Sequence, residues 1–150
     1  MKFFFITFLL ISGMSSAQSL TIVNSSNVRV QYDVGVAELN CAHSVSLSGL
    51  LINAYTIELE RITFMDFGSQ IWLDNSFQVS PAYCDSNYGL PDFSIVKFKY
   101  LGPRGNILAD GYVTLNNPDN CIPDQTSWSN RFFSVTMVRD FQGNIVVEFN

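Results

Sequence analysis

An all-β fold, with two antiparallel sheets packed as a β-sandwich of Greek-key or immunoglobulin-like type, is predicted for this chain by three observations. Short segments of β-branched and aromatic residues alternate apolar with polar side chains. Clusters of Gly, Pro, Asn, Asp and Ser separate those segments. Nowhere do apolar residues recur at i, i+3, i+4 and i+7 long enough to predict a helix. A small closed β-barrel is the runner-up.

Before the strands comes a leader. Lys2 supplies a positive start, Phe3 to Ile11 is apolar except for Thr7, and Ser15-Ser16-Ala17 places small residues at the −3 and −1 positions of a cleavage site. Residues 1–17 therefore read as a secretory signal peptide cut before Gln18, and residues 18–150 as a single all-β domain. Its removal leaves 133 of the 150 residues, with seven cations against 13 carboxylates, a net charge of −6.

The first strand is Leu20-Thr21-Ile22-Val23, followed by the turn-forming Asn24-Ser25-Ser26-Asn27. Val28, Val30, Tyr32, Val34 and Val36 then alternate with Arg29, Gln31, Asp33 and Gly35, a half-buried strand that forms a hairpin or bent strand with the first. Ser44 to Ser48 continues the pattern, and Leu51 to Met65 reads as one long extended stretch. A bulge near Glu60-Arg61 would let Ile57, Leu59, Ile62 and Phe64 all point inward. Gln70 to Leu73 is a brief strand, and the chain from Asp74 to Pro91 reads as loop. Phe93 to Leu101 is a strong strand with Val96, Phe98 and Tyr100 on one face and Lys97 and Lys99 on the other. Gly102 to Asn106 turns it back into Ile107 to Leu115. Phe133, Val135 and Met137 lead through Asp140 to Asn144 into Ile145, Val147 and Phe149. Both turns end in Gly-Asn-Ile, with Gly placed where such connections need a positive φ.

Composition excludes several classes. Seven cations spread singly along an acidic chain offer no stripe to neutralise phosphates, so no nucleic-acid partner is expected. After the leader no apolar run approaches the roughly 20 residues of a transmembrane helix, so no membrane span is expected. The destination is secreted, periplasmic or cell-surface. Three cysteines in an oxidising compartment predict one disulfide and one remaining thiol. Cys41, Cys84 and Cys121 allow three pairings, and Cys84 with Cys121 is favoured because both sit among turn formers. That bridge would contribute roughly 3 to 4 kcal/mol. No Cys-x-x-Cys pair exists to build a zinc site, and neither metal nor other cofactor is expected.

Catalytic groups are few. His43 is the sole histidine, its neighbours Ser44 and Ser46 are adjacent in sequence only, and no Gly-x-Ser-x-Gly elbow is present. Cys41 lies two residues before it, an odd thiol whose ordinary fate is pairing or burial. Glu58 and Glu60 stand two apart on a strand, so both carboxylates leave one face with Cα atoms about 6.5 to 7 Å apart. Glycoside hydrolysis uses such pairs, and the polar outer face of a half-buried strand produces the same pattern. The Asn116 to Asp124 loop holds oxygen donors of the kind calcium prefers, without the spacing of a known calcium loop. Tyr83, Tyr88, Trp72 and Trp128 are candidates for an aromatic sugar platform, with Tyr83 and Tyr88 in the loop preceding Pro91. Asn24-Ser25-Ser26 is a glycosylation sequon.

The opening Leu20 to Ser26 followed by an alternating strand, the leader ending Ser16-Ala17-Gln18, and the terminal Gly143-Asn144-Ile145-Val146-Val147 resemble small uncharacterised secreted β-sandwich proteins of Bacteroidetes-type bacteria, over about a third of the chain. The resemblance implies a fold and an export route, and no site residue. The leading functional expectation is a secreted, non-enzymatic binding domain that contacts a glycan or protein through loops and sheet edges. The alternatives are a small glycan hydrolase using Glu58 and Glu60, and a self-associating structural surface protein.

Overall fold

A computed structural model describes residues 19–37, 44–60, 71–73, 77–88, 93–115 and 124–150. The expected leader, Cys41, His43, Cys121 and all of the Asn116 to Asp124 loop except Asp124 lie outside those residues. The described elements are β1 (Leu20–Asn24), β2 (Arg29–Ala37), β3 (Ser44–Ile52), β4 (Thr56–Glu60), β5 (Ile71–Leu73), β6 (Phe77–Val79), α1 (Pro81–Tyr88), β7 (Phe93–Leu101), β8 (Ile107–Thr114), β9 (Ser127–Ser129), β10 (Ser134–Arg139) and β11 (Ile145–Phe149).

They form two mostly antiparallel sheets packed together, as expected for a sandwich. One has five strands in the order β4-β1-β11-β10-β9, the other six in the order β6-β5-β3-β2-β7-β8. The exception to antiparallel pairing is β1 with β11, which run parallel from Leu20 opposite Ile145 to Asn24 opposite Phe149. The core lies between the sheets, where alternation delivers Leu20 and Ile22 of β1, Val30, Tyr32 and Val34 of β2, Val96, Phe98 and Tyr100 of β7, and Ile145, Val147 and Phe149 of β11.

Aromatic rings join the layers. Phe98 of one sheet meets Phe149 of the other at 5.6 Å between centroids, edge to face, and Tyr100 stacks on Phe133 at 4.1 Å. The Tyr100 hydroxyl donates across the interior to the backbone carbonyls of Ser134, at 2.9 Å, and Asn150, at 3.3 Å. Burial pushes its pKa far above the ordinary phenol value, against the opposing effect of the Asn150 contact, so the group stays protonated and remains a donor.

The expected hairpin at the start is instead a crossing between sheets, because β1 belongs to the five-stranded sheet and β2 to the six-stranded one. Asn24 holds the corner. Its amide nitrogen donates to the carbonyls of Val28 and Asn53, each at 2.9 Å, while its oxygen accepts from the Ser26 hydroxyl at 2.6 Å and the Ser26 N–H at 3.1 Å. These bonds satisfy a side chain that is only 1 % exposed.

The stretch from Leu51 to Glu60 is not one strand. β3 ends at Ile52, and a turn with Tyr55 at φ 55° carries the chain into β4 on the other sheet. The change of layer reverses the expected phase: Ile57 is 71 % exposed, whereas Glu58 lies opposite Ile22 and turns inward. The stretch read as loop contains β6 and α1. α1 has no amphipathic stripe, which hides it from periodicity, yet its start follows capping chemistry. Pro81 takes the first helical position, and the Ser80 hydroxyl accepts the Tyr83 N–H at 3.2 Å.

The two Gly-Asn-Ile turns form as their sequence suggests. Gly105 and Gly143 have φ of 77° and 88°, and Gly102 and Asp140 donate their N–H groups to the carbonyls of Asn106 and Asn144, each at 2.8 Å. Asp140 does more than its counterpart. One carboxylate oxygen accepts the N–H groups of Gln142 and Asn144 at 2.8 and 2.9 Å, and the other accepts the Asn144 side chain at 3.0 Å. Desolvation works to raise its pKa, but bonds from the Asn144 side chain and from the backbone of Asn144, Gln142 and Gly143 outweigh it and hold the carboxyl below its ordinary value.

A depressed folded-state pKa stabilises the fold above the unfolded value, about 3.9, and that contribution is lost as pH falls through the folded value. Wild type should therefore show a higher Tm than Asp140→Asn near neutral pH, and the difference should shrink in acid below about pH 4. Paired thermal unfolding across that range measures it. A difference independent of pH would mean that the carboxylate charge plays no part in the turn.

Candidate functional site

A surface depression among the described residues lies on the outer face of the six-stranded sheet, over β2, β7 and β8. Alternation forces it to be polar: once Tyr32, Phe98 and Tyr100 face the core, their neighbours Gln31, Asp33, Lys97 and Lys99 must face out. β8 adds Asp110 and Tyr112. Register sets these side chains in two rows, Gln31 opposite Lys99 opposite Asp110, and Asp33 opposite Lys97 opposite Tyr112.

They line a depression of about 340 Å³, with Phe98 and Gly111 between the rows. Gly111 has no side chain because Trp128 of β9 occupies its inner side, where an added Cβ would come within 2.7 Å of the indole nitrogen. The Asp33 carboxylate accepts the N–H of Gly49 at 2.6 Å, a contact made available by the irregular β2–β3 register between Tyr32 and Val34. On β8, the Tyr112 carbonyl accepts the Gln125 side-chain amide at 3.0 Å, while the Tyr112 side chain is 46 % exposed. The face thus offers two ammonium donors, two carboxylates, an amide that both donates and accepts, and an accessible aromatic ring.

The residues singled out from sequence lie elsewhere. Tyr83 is on α1 and exposed, not in a loop, and Tyr88 is at the end of the same helix. Cys84 is also on α1 and fully buried against the core, while its expected partner Cys121 is outside the described residues. Trp128 packs against Phe98, with centroids 5.1 Å apart, and closes the gap between β8 and β9. Trp72 is half-buried on β5, opposite Ser46 and Gln78. Glu58 accepts the Tyr32 hydroxyl at 3.2 Å, and Glu60 follows two residues on, its backbone opposite Leu20.

Among the described residues no group of three or more His, Cys, Asp or Glu side chains is placed to hold a metal ion, and no helix is long and apolar enough to cross a membrane. Comparison with known protein families, curated proteins and solved structures finds no match to this chain.

The sheet-face residues had a partial signal in sequence. The turn at Gly102 to Asn106 fixes which β7 residues oppose which β8 residues, but the pairing of β7 with the distant β2 supplies Gln31 and Asp33.

The sequon is unsuited to modification, because Asn24 spends its whole amide inside the corner between sheets. Folded protein secreted from a glycosylating host should carry no glycan at Asn24, as intact mass will show. Asn24→Ala should lower stability by about 2 to 4 kcal/mol in chemical denaturation, since it strands several buried backbone groups. A glycan found on Asn24 of the folded protein would contradict this assignment.

Proposed function

We propose that this domain is a non-enzymatic binding module acting outside the cytoplasm, and that its ligand is a glycan held on the outer face of β2, β7 and β8. The carrying observation is the depression between Gln31, Asp33, Lys97, Lys99, Asp110 and Tyr112. Sugar hydroxyls donate and accept at once, so a surface that mixes ammonium, carboxylate and amide groups at strand spacing suits them better than an apolar groove would. An exposed tyrosine ring beside those groups provides the apolar face on which a sugar ring rests.

Of the supporting strands, β2 and β7 are interior to the sheet and β8 ends its order, with long registers on both sides of β7. Groups fixed on such strands are ordered before the ligand arrives, which lowers the entropic cost of binding. On this reading recognition uses a sheet face, whereas the sequence pattern alone directed attention to loops and edges.

The test is a glycan array followed by solution titration with the full chain. Tyr112→Ala should weaken binding about tenfold, equivalent to about 1.4 kcal/mol. Tyr83→Ala, on α1, should bind as the parent does. Absence of any bound glycan at high protein concentration, or a Tyr112→Ala variant that binds like the parent, would reject the proposal.

A further inference from the structure

The cations that seem scattered along the sequence gather in space. Of the chain's eight Lys and Arg residues, Lys97 and Lys99 project from β7, Arg29 lies opposite Leu101 two residues beyond Lys99, and Arg104 sits in the turn joining β7 to β8. Lys97 and Lys99 are about 6.6 Å apart along the strand, and the level of Arg29 is a similar distance further. All four side chains are exposed.

Opposing charge is present but outnumbered: Asp33 stands opposite Lys97 and Asp110 opposite Lys99, while Arg29 lies opposite Leu101. The chain has 13 carboxylates, yet among the described residues Asp33 and Asp110 are the two on this face. Asp33 accepts the Gly49 N–H at 2.6 Å and keeps its charge, so the excess on this face comes from Arg29 and Arg104. The other acidic residues in the described elements belong elsewhere: Glu58, Glu60 and Glu148 to the five-stranded sheet, Asp85 to α1, Asp140 to the β10–β11 turn, and Asp124 ahead of β9. Among the described residues this face therefore sets four cations against two carboxylates, a local positive excess on a chain of overall charge −5, running from the depression to the β7–β8 turn. Such a face attracts anions and repels little of what it binds.

We infer that the ligand of this face is an acidic polysaccharide, a chain of sugar rings bearing carboxylate or sulfate groups. The inference rests on the glycan reading above and adds the sign of the ligand's charge. Lys97 and Lys99 meet anionic groups in the depression, Tyr112 supports a ring beside them, and Arg29 and Arg104 meet the polymer where it leaves toward the turn.

The experiment uses polymers matched except for charge: polygalacturonate against its methyl-esterified form, and dextran sulfate against dextran, titrated with the full chain. Binding of at least one acidic polymer should fall as NaCl rises from about 50 to 500 mM. It should weaken at least about tenfold in Lys97→Gln/Lys99→Gln, whose exposed positions leave the core untouched. The neutral partners should bind far more weakly.

Equal, salt-independent binding of neutral and charged forms would overturn the inference and leave the glycan reading standing. Binding of none of the four, together with an empty glycan array, would overturn both. An oligodeoxynucleotide bound as tightly as the acidic polymers would show a general polyanion surface and also overturn it. An unchanged affinity in the double lysine variant would show that the polymer lies elsewhere.

Discussion

The parallel pairing of β1 with β11 is the constraint on which the architecture depends. Without it the five-stranded sheet is two fragments, β4-β1 and β11-β10-β9, which are far apart in sequence. The pair is extended past its ends by the Ile145 N–H on the Ser19 carbonyl and by the Ser25 and Ser26 N–H groups on the Phe149 carbonyl. A contact between the first and last of the described strands closes the longest loop among them, and its chain-entropy penalty must be offset by burial. The buried alternation of Leu20 and Ile22 with Ile145, Val147 and Phe149 supplies the compensating burial.

The same closure organises the surface. With β11 fixed, Phe149 meets Phe98 and Tyr32 from below, and those rings hold β7 and β2 in phase. A one-residue slip of either strand would turn the lysines and Asp33 into the core, so the polar face is as tightly specified as the apolar one. The exposed edge of the other sheet is managed differently. β4 turns Glu58 inward to accept the Tyr32 hydroxyl, and an inward charge on an edge strand discourages another strand from pairing there.

Local chemistry was legible in the sequence where it was self-contained. β7, β8 and their turn follow from alternation and from the placement of Gly105, and β10, β11 and Gly143 follow the same logic. What escaped was set by distant partners or by signals without periodicity. The inversion at Ile57 and Glu58 arises because β4 joins the opposite sheet from β3, which no local pattern encodes. α1 escaped because only Ser80 and Pro81 announce it. Three strands contribute to the candidate site, and the sequence disclosed the alternation within each while leaving unstated that β7 lies between β2 and β8. The positive excess escaped for that reason too: Arg29 is remote from Lys97 and Lys99 until the β2–β7 register brings them together.

The parallel pair also sets how the domain responds to tension. The chain enters β1 at Leu20 beside Ile145 and leaves β11 at Phe149 beside Asn24, so entry into one strand and exit from the other lie at opposite ends of the pair. A pull between them runs along the strands and loads the β1–β11 bonds in shear, all together, instead of peeling them one after another. Resistance to forced unfolding is governed by the rate of crossing that barrier and not by equilibrium stability. The register from Leu20 to Asn24 is therefore the part of the fold that a pull along β1 and β11 loads first.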